Sequence, residues 1–474
     1  MNLAQVLDWL RDDPSFMANV TRWEVLPARE ARYGGFPDGL DRRLVAALET
    51  CGVRSLYTHQ TEAVAAAISG RSTVVVTPTA SGKTLCYNLP VLQAILQEPA
   101  SRALYLFPTK ALAQDQVAAL KELTQHIDVD IQAYVYDGDT PATLRPHIRQ
   151  AGQIVVTNPD MLHTGILPHH TRWVRLFENL KYVVIDELHT YRGVFGSHVA
   201  NVLRRLLRIC RFYGSNPQFL CSSATIANPK ELAERLTGVP MELIDNNGAP
   251  QGERHLIVYN PPVVTRDGIR QPVLQAARQV ASRFLRHDIQ TIVFARSRLA
   301  TEVLLTYLKE DMAKGARGVT TKRAEAIRGY RGGYLPKQRR EIEQGLRRGE
   351  VLGVVSTNAL ELGIDVGQLE VCVMAGYPGT IASTWQQAGR AGRRQGVSVA
   401  VLVASSAPLD QYIAQHPEFV LGGSPEHALI NPDNLMILVS HMKCAAFELP
   451  FRDGEDFGID PAGTAEILGY LQDE

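Results

Sequence analysis

Short β-branched runs alternate with helical patterns along most of this chain, and that alternation limits the fold more than any other feature. TVVV (73–76), ALYLF (103–107), QIVVT (153–157), YVVID (182–186) and QFLCS (218–222) read as strands. Between them, segments such as ALAQDQVAALKELTQ carry apolar residues at helical spacing. The strands are continuously apolar, as strands covered by helices on both faces are, so the pattern predicts a parallel sheet in an α/β fold. The stretch 245–270, rich in Gly, Pro, Asn and Asp, reads as a linker. The alternation then resumes with TIVFA (291–295), VLGVVS (351–356), LEVCVMA (369–375) and VSVAVLV (397–403). Two α/β units in tandem are therefore expected, at 55–250 and 265–410. A helical segment, 1–54, precedes them and an accessory segment, 411–474, follows.

The bulk numbers agree with a soluble globular chain. At 474 residues there is material for roughly three domains. Lys plus Arg number 49, as do Asp plus Glu, so any nucleic-acid binding surface must concentrate its positive charge locally. Six cysteines are scattered without a C-x-x-C pair, which predicts a reducing compartment and no zinc site within these residues. The start, MNLAQVLDWLRDD, has no basic n-region, and no apolar run approaches the ~18 residues of a membrane span. A cytoplasmic protein without membrane partners is expected.

Three segments carry chemistry. TPTASGKT (77–84) follows the run Val74-Val75-Val76, where a strand-to-helix turn offers backbone N–H groups and the positive helix end to phosphates. In it Thr79, Ala80, Ser81 and Gly82 form the cradle, Lys83 reaches the β/γ-phosphates and the Thr84 hydroxyl suits Mg²⁺. The glycine that opens a strict phosphate loop is replaced by Thr77, and an ordinary strand–turn–helix is the bland alternative. Asp186 and Glu187 end the strand YVVI; Asp186 fits a metal anchor and Glu187 a residue that orients or deprotonates water. Alone, such a pair is most often a solvated loop or helix start. In QQAGRAGRR (386–394), Arg390 and Arg393 lie three apart, on one face if the turn is helical. They read either as a solvated basic end or as arginine fingers acting on a γ-phosphate from the second unit.

In order along 56–403, these and six further segments resemble the motifs of superfamily 2 helicases, which have two RecA-like domains. Tyr57-Thr58-His59-Gln60 resembles the adenine-recognising Q motif, FPTKALAQDQ (107–116) motif Ia and TNPDML (157–162) motif Ib. Ser223-Ala224-Thr225 resembles motif III, FARSR (294–298) motif IV, and STNALELGIDVG (356–367) motif V. DELH, TKALAQDQ and WQQAGRAGRR point away from DEAD-box RNA helicases. They are most similar to the mitomycin-repair-factor and RecQ4-related DNA helicases, as is HMKCAAFELPF (441–451). Those proteins continue into a cysteine-rich zinc-binding domain that the sequence to Glu474 does not include; the chain is read as a piece of a longer protein or a short relative.

The resemblance implies that Gln60 reads the adenine edge with Tyr57 nearby, and that Asp365 contacts the ribose. Gln386 would place the γ-phosphate or water beside Arg390 and Arg393, while His189, Ser223 and Thr225 couple the nucleotide to the nucleic-acid groove. ATP and Mg²⁺ are the implied cofactors. Groove contacts are assigned to Pro108, Thr109, Lys110, Thr157, Asn158, Arg296, Ser297 and Thr357. Such groups grip phosphates without reading bases, although each is also an ordinary turn or cap residue. RRLLRICR (204–211) and KQRREIEQGLRRGE (337–350) read as exposed amphipathic faces, with added nucleic-acid charge as the alternative. The implied activity is ATP-dependent 3′→5′ helicase or translocase action on single-stranded DNA or a tailed duplex, in DNA repair. An RNA helicase and an ATP-gated nucleic-acid clamp without net unwinding remain alternatives at this stage.

Overall fold

The computed structural model describes residues 1–314, 320–361, 367, 369–392 and 396–473. The chain forms two compact units. One comprises Met1–Ala31, Pro78–Ala80 and Ala249–Glu426, the other Arg32–Thr77, Ser81–Gly248 and His427–Glu474. Numbered along the chain, the strands are β1 (Val20–Leu26), β2 (Thr73–Val76), β3 (Arg102–Leu106), β4 (Ala133–Val135), β5 (Ile154–Thr157), β6 (Leu180–Ile185), β7 (Gln218–Ser223) and β8 (Glu242–Ile244). They continue as β9 (Arg254–Tyr259), β10 (Thr291–Ala295), β11 (Ile327–Tyr330), β12 (Gly353–Ser356), β13 (Val371–Ala375) and β14 (Ser398–Val403).

In the unit that begins at Arg32, seven parallel strands run in the order β4-β5-β3-β6-β7-β2-β8. Every residue of β2 and β5 is buried, as the unbroken apolar runs require of strands covered on both faces. Helices α1 (Thr58–Ile68), α2 (Lys83–Gln97), α3 (Lys110–Thr124) and α4 (Gly193–Tyr213) flank the sheet. On one side Leu203, Leu206 and Ile209 of α4 pack with Val183 and Phe219; on the other Leu89 and Leu92 of α2 pack with Tyr105 and Val184. The C-terminal residues belong here too. Ala428, Ile430 and Leu449, on either side of α5 (Leu435–Glu448), join the core that contains α4.

RRLLRICR, expected to be an exposed face, is instead largely interior. Arg205 and Arg208 are buried, and Arg208 donates to the carbonyls of Ala445, Leu449 and Pro450. Its guanidinium lies 3.9 Å from the Phe451 ring centroid. These arginines bind the tail, a use with no local signature because the partners lie more than two hundred residues away.

The other unit has strand order β1-β9-β14-β13-β10-β12-β11, parallel except for the antiparallel pair β1 and β9. Two expectations change here. The stretch read as a linker contains β9, which pairs with β14 in register from Arg254↔Ser398 to Tyr259↔Val403. The segment read as helical, 1–54, includes β1 and divides between the units after Ala31. Its first helix, Leu3–Asp12, buries Leu3, Val6, Leu7 and Leu10, the i, i+3, i+4, i+7 stripe, against Val280 and Phe284. Asn2 and Gln5 close a capping box at its start.

Candidate nucleotide site

The loop after β2 is shaped by its own side chains. Thr77 and Ser81 share a hydroxyl–hydroxyl bond of 2.6 Å, and Lys83 Nζ donates to the Thr77 carbonyl at 2.7 Å. Thr77 thus closes the loop through its side chain, at the position where a strict phosphate loop has glycine. Gly82 (φ 80°) caps α2 in the left-handed region, and Ala80 (φ 63°) adopts it as well. For a residue with a Cβ that conformation costs about 1 kcal/mol or more and marks a backbone held for a purpose.

A clamp behind the loop comes from α1. Gln60, buried, accepts from the Tyr57 N–H at 2.9 Å through Oε1 and donates from Nε2 to the Gly82 carbonyl at 2.9 Å. The structure therefore places the Gln60 amide on the loop backbone, a contact additional to the base-edge role implied by resemblance. His59, to which sequence reasoning assigned no role, completes the clamp. Its Nδ1 accepts from Gly248 N–H at 3.2 Å, so Nε2–H donates to the Ser81 carbonyl at 3.1 Å. Burial pushes this imidazole down to about 4, keeping it neutral. Tyr57 stacks on Tyr33, with ring centroids 5.4 Å apart.

Asp186 and Glu187 follow β6. Asp186 is buried and accepts from the Ser222 hydroxyl and, at 2.8 Å, from the Glu187 N–H. Burial, then the Glu187 charge, push its carboxyl up to about 6. Glu187 sits in the left-handed region (φ 52°), a second strained non-glycine residue at this site. His189 Nδ1 lies 3.5 Å from Glu187 Oε2 but accepts from the Ala224 N–H at 3.2 Å. With Nδ1 accepting, and burial pushing the ring down to about 3, this is no ion pair; His189 is a neutral link between DELH and Ser223-Ala224-Thr225. Ser223 is buried and donates to the Ala224 carbonyl, whereas Thr225 is exposed.

Tyr87 and Gln116 join the two halves of the site. Thr84 Oγ1 donates to Gln116 Oε1 at 3.2 Å, and the Tyr87 hydroxyl lies 3.4 Å from both Gln116 Oε1 and Asp186 Oδ2. Neither residue was singled out from the sequence, nor was Ser222. Only Gln116 gave a signal, as the last residue of FPTKALAQDQ.

These groups fit a nucleoside triphosphate with a hard cation. The positive end of α2 faces the loop, Lys83 adds a positive charge, and Thr84 and Asp186 provide oxygen donors. A divalent cation at Asp186 would reverse the rise in its pKa. Among the described residues no cluster of three or more His, Cys, Asp or Glu could hold a metal by itself, so phosphate oxygens and water would complete the coordination.

The remaining expected residues divide. Thr109 caps α3, accepting from the Leu112 N–H at 3.3 Å, with Pro108 half-buried beside it. Lys110 is exposed and pairs with Asp139 at 3.0 Å. Asn158 accepts from the Met161 N–H at 2.8 Å. Thr157 is a correction: only 1% exposed, it donates to the Tyr136 carbonyl, so its side chain is not presented to a phosphate. In the other unit Arg296 and Ser297 are exposed, with Arg296 paired to Asp410 at 2.8 Å. Thr357 accepts from the Ala359 N–H at 3.4 Å. Helix Ile381–Ala388 includes buried Gln386 and ends before Gly389, so Arg390 lies in the turn beyond it and not on a helical face. Arg390 is buried and donates to the Glu361 carbonyl at 2.6 Å. Arg393 and Asp365 fall outside the described residues.

A phosphate loop behind one seven-stranded parallel sheet, a buried Asp-Glu pair two strands away and a second α/β sheet of seven strands define a protein of tandem RecA-like domains. Residues 57–232 match the DEAD/DEAH box helicase family, and residues 276–395 match the helicase conserved C-terminal domain. The chain belongs to the DEAD/DEAH box helicases of superfamily 2.

It is 60% identical over 457 residues to the uncharacterized ATP-dependent helicase YprA of Bacillus subtilis, covering 96% of this chain and 60% of that one. It is 37% identical to the ATP-dependent helicase HRQ1 of Saccharomyces cerevisiae, covering 96% and 42% of the two chains. A crystal structure of the DUF1998 helicase MrfA bound to DNA superposes with a TM-score of 0.94 at 58% identity, over all of this chain and 62% of that one. One bound to DNA and AMPPNP gives 0.94 at 59%, over 100% and 65%. The chain thus spans less than two thirds of each of these relatives. No helix among the described residues is long and apolar enough to cross a membrane.

Proposed function

We propose that this chain is the motor portion of an ATP-dependent DNA helicase or translocase that moves 3′→5′ along single-stranded DNA and serves in DNA repair. The observation that carries the reading is the convergence of Lys83, Thr84, Asp186 and Glu187, joined through Tyr87 and Gln116, at the end of a parallel sheet. The similarity to MrfA, crystallised with DNA and with AMPPNP, supports DNA as the partner and ATP as the nucleotide.

Lys83 and the loop N–H groups would hold the phosphates, and Thr84 and Asp186 would hold Mg²⁺, which would supply positive charge beside the transferred phosphoryl group. Glu187, fixed by its strained backbone, orients the attacking water and takes its proton. His189 passes the state of this carboxylate pair to Ala224 through one hydrogen bond. Gln386, Arg390 and Arg393 act in turnover from the second unit, Asp365 on the ribose. Thr109, Lys110, Asn158, Arg296, Ser297 and Thr357 bind phosphates of the strand, which makes binding sequence-independent and salt-dependent.

A strand-separation assay tests the reading. A duplex with a 3′ single-stranded DNA tail should be separated over multiple turnovers with ATP, and a 5′-tailed duplex should not. ATP-dependent binding without separation would favour the clamp, and separation only with an RNA tail would favour an RNA helicase.

A further inference from the structure

Arg205, on α4, has a fully buried side chain, and all five of its N–H donors are engaged. Nε donates to Glu448 Oε2 at 3.0 Å and Nη2 to Glu448 Oε1. Nη1 donates to His163 Nδ1 at 2.6 Å and His441 Nδ1 at 3.4 Å, and Nη2 reaches the His163 carbonyl at 3.5 Å. A guanidinium only donates, so both imidazole Nδ1 atoms accept. His441 Nε2–H is then left to donate to His198 Nδ1 at 3.1 Å. Arg205 therefore fastens three segments together: α4, helix α5 of the tail, and a π-helical turn, Leu162–Ile166, that contains His163. A second fastening lies nearby, where His170 Nε2 meets the Glu448 carbonyl at 2.8 Å.

The turn so held is separated from Asn158 by the short helix Pro159–Met161, which Asn158 caps. The Asn158 side chain caps Met161, and Leu162 N–H bonds to the Asn158 carbonyl at 3.0 Å. A π turn is an uncommon backbone arrangement that tends to occur where function requires it. Apolar contacts of Ala428, Ile430 and Leu449 already attach the tail to this core. A buried ion pair adds little net stability over an apolar substitute of the same shape, whereas its donor geometry fixes orientation.

We propose that Arg205, His163 and Glu448 form a latch through which the C-terminal tail positions the strand-binding segment at Asn158, setting nucleic-acid affinity without touching nucleic acid. The inference rests on Asn158 being a strand contact, as proposed above. His163, Arg205 and Glu448 are positioning residues.

The test uses the full chain with a fluorescently labelled oligothymidylate. His163→Ala removes one charge-assisted bond and should weaken oligothymidylate binding about tenfold, the equivalent of losing one such bond. ATPase measured without DNA should stay at the wild-type rate, and Tm should change little. His163→Asn, whose Oδ1 offers an acceptor near the Nδ1 position, should restore most of the affinity. Asn158→Ala tests the underlying reading separately. If Asn158→Ala weakens binding and His163→Ala does not, the latch is refuted while the strand contact stands. If neither weakens binding, both fail. Parallel losses of binding, DNA-free ATPase and Tm in His163→Ala, or no rescue by Asn, would reduce the cluster to a folding element and overturn the inference.

Discussion

Replacing Gln60 with alanine separates two roles for this side chain. Its two bonds, from Tyr57 N–H and to the Gly82 carbonyl, are both 2.9 Å and hold the end of the phosphate loop from behind. At a net ~1 kcal/mol per bond, Gln60→Ala should cost about 2 kcal/mol of loop order, or roughly thirtyfold in nucleotide affinity. Because the loop grips phosphates, the loss should be the same for ATP and GTP. A residue that reads the adenine edge behaves differently, with ATP binding falling to the level of GTP while GTP affinity stays unchanged. Gln60→Glu sharpens the contrast, since a carboxylate still accepts from Tyr57 N–H but cannot donate to Gly82. Titration of fluorescent ATP and GTP analogues on the wild type and both variants decides it. Relaxed purine selectivity with intact GTP binding would refute the clamp.

Glu187→Gln should bind ATP with near wild-type affinity and lose about 10²–10⁴-fold in turnover, read by steady-state phosphate release. Arg393→Ala should leave nucleotide affinity little changed and abolish stimulation of the ATPase by DNA; retained stimulation removes Arg393 from turnover. The unit that begins at Arg32 should lose stability in acid, as urea midpoints from pH 7 to pH 5 would show. His59, His189 and His441 are pushed down to about 4, 3 and 3, below an unfolded value of about 6.5. The folded state therefore binds fewer protons, so their stabilisation is complete above about pH 6.5 and is lost as pH falls. Asp186, pushed up to about 6, works oppositely by one group between pH 4 and 6. The net is about two groups, or ~3 kcal/mol per pH unit in the steepest region. A midpoint unchanged from pH 7 to 5 would contradict the buried-histidine arrangement.

The strands around the nucleotide site were legible because burial on both faces writes itself as unbroken apolar sequence; TVVV and TIVFA match β2 and β10 residue for residue. β9 was hidden by its flanks, since Gly, Pro and Asn on either side of RHLIVY suggested a linker. β8 and β11 are short, and β11 exposes Arg328, so neither shows the pattern of a covered strand. Spacing located the phosphate loop and the Asp-Glu pair but not their supports. Gln60 and His59 are close to the loop only through the fold, and the Ser222 hydroxyl meets Asp186 from a neighbouring strand. QQAGRAGRR misled in detail, because Gly389 and Gly392 favour ending a helix over extending an arginine face. The arginines of α4 misled more fully, because Arg205 and Arg208 take their partners from a tail segment far along the chain.

ATP hydrolysis measured with single-stranded DNA, with single-stranded RNA and with neither, on the wild type and on Lys83→Ala, is the most direct test of a DNA-driven motor. The account predicts low turnover alone, strong stimulation by DNA that falls with salt, little by RNA, and none in Lys83→Ala. Turnover indifferent to DNA, or surviving the loss of Lys83, would contradict it.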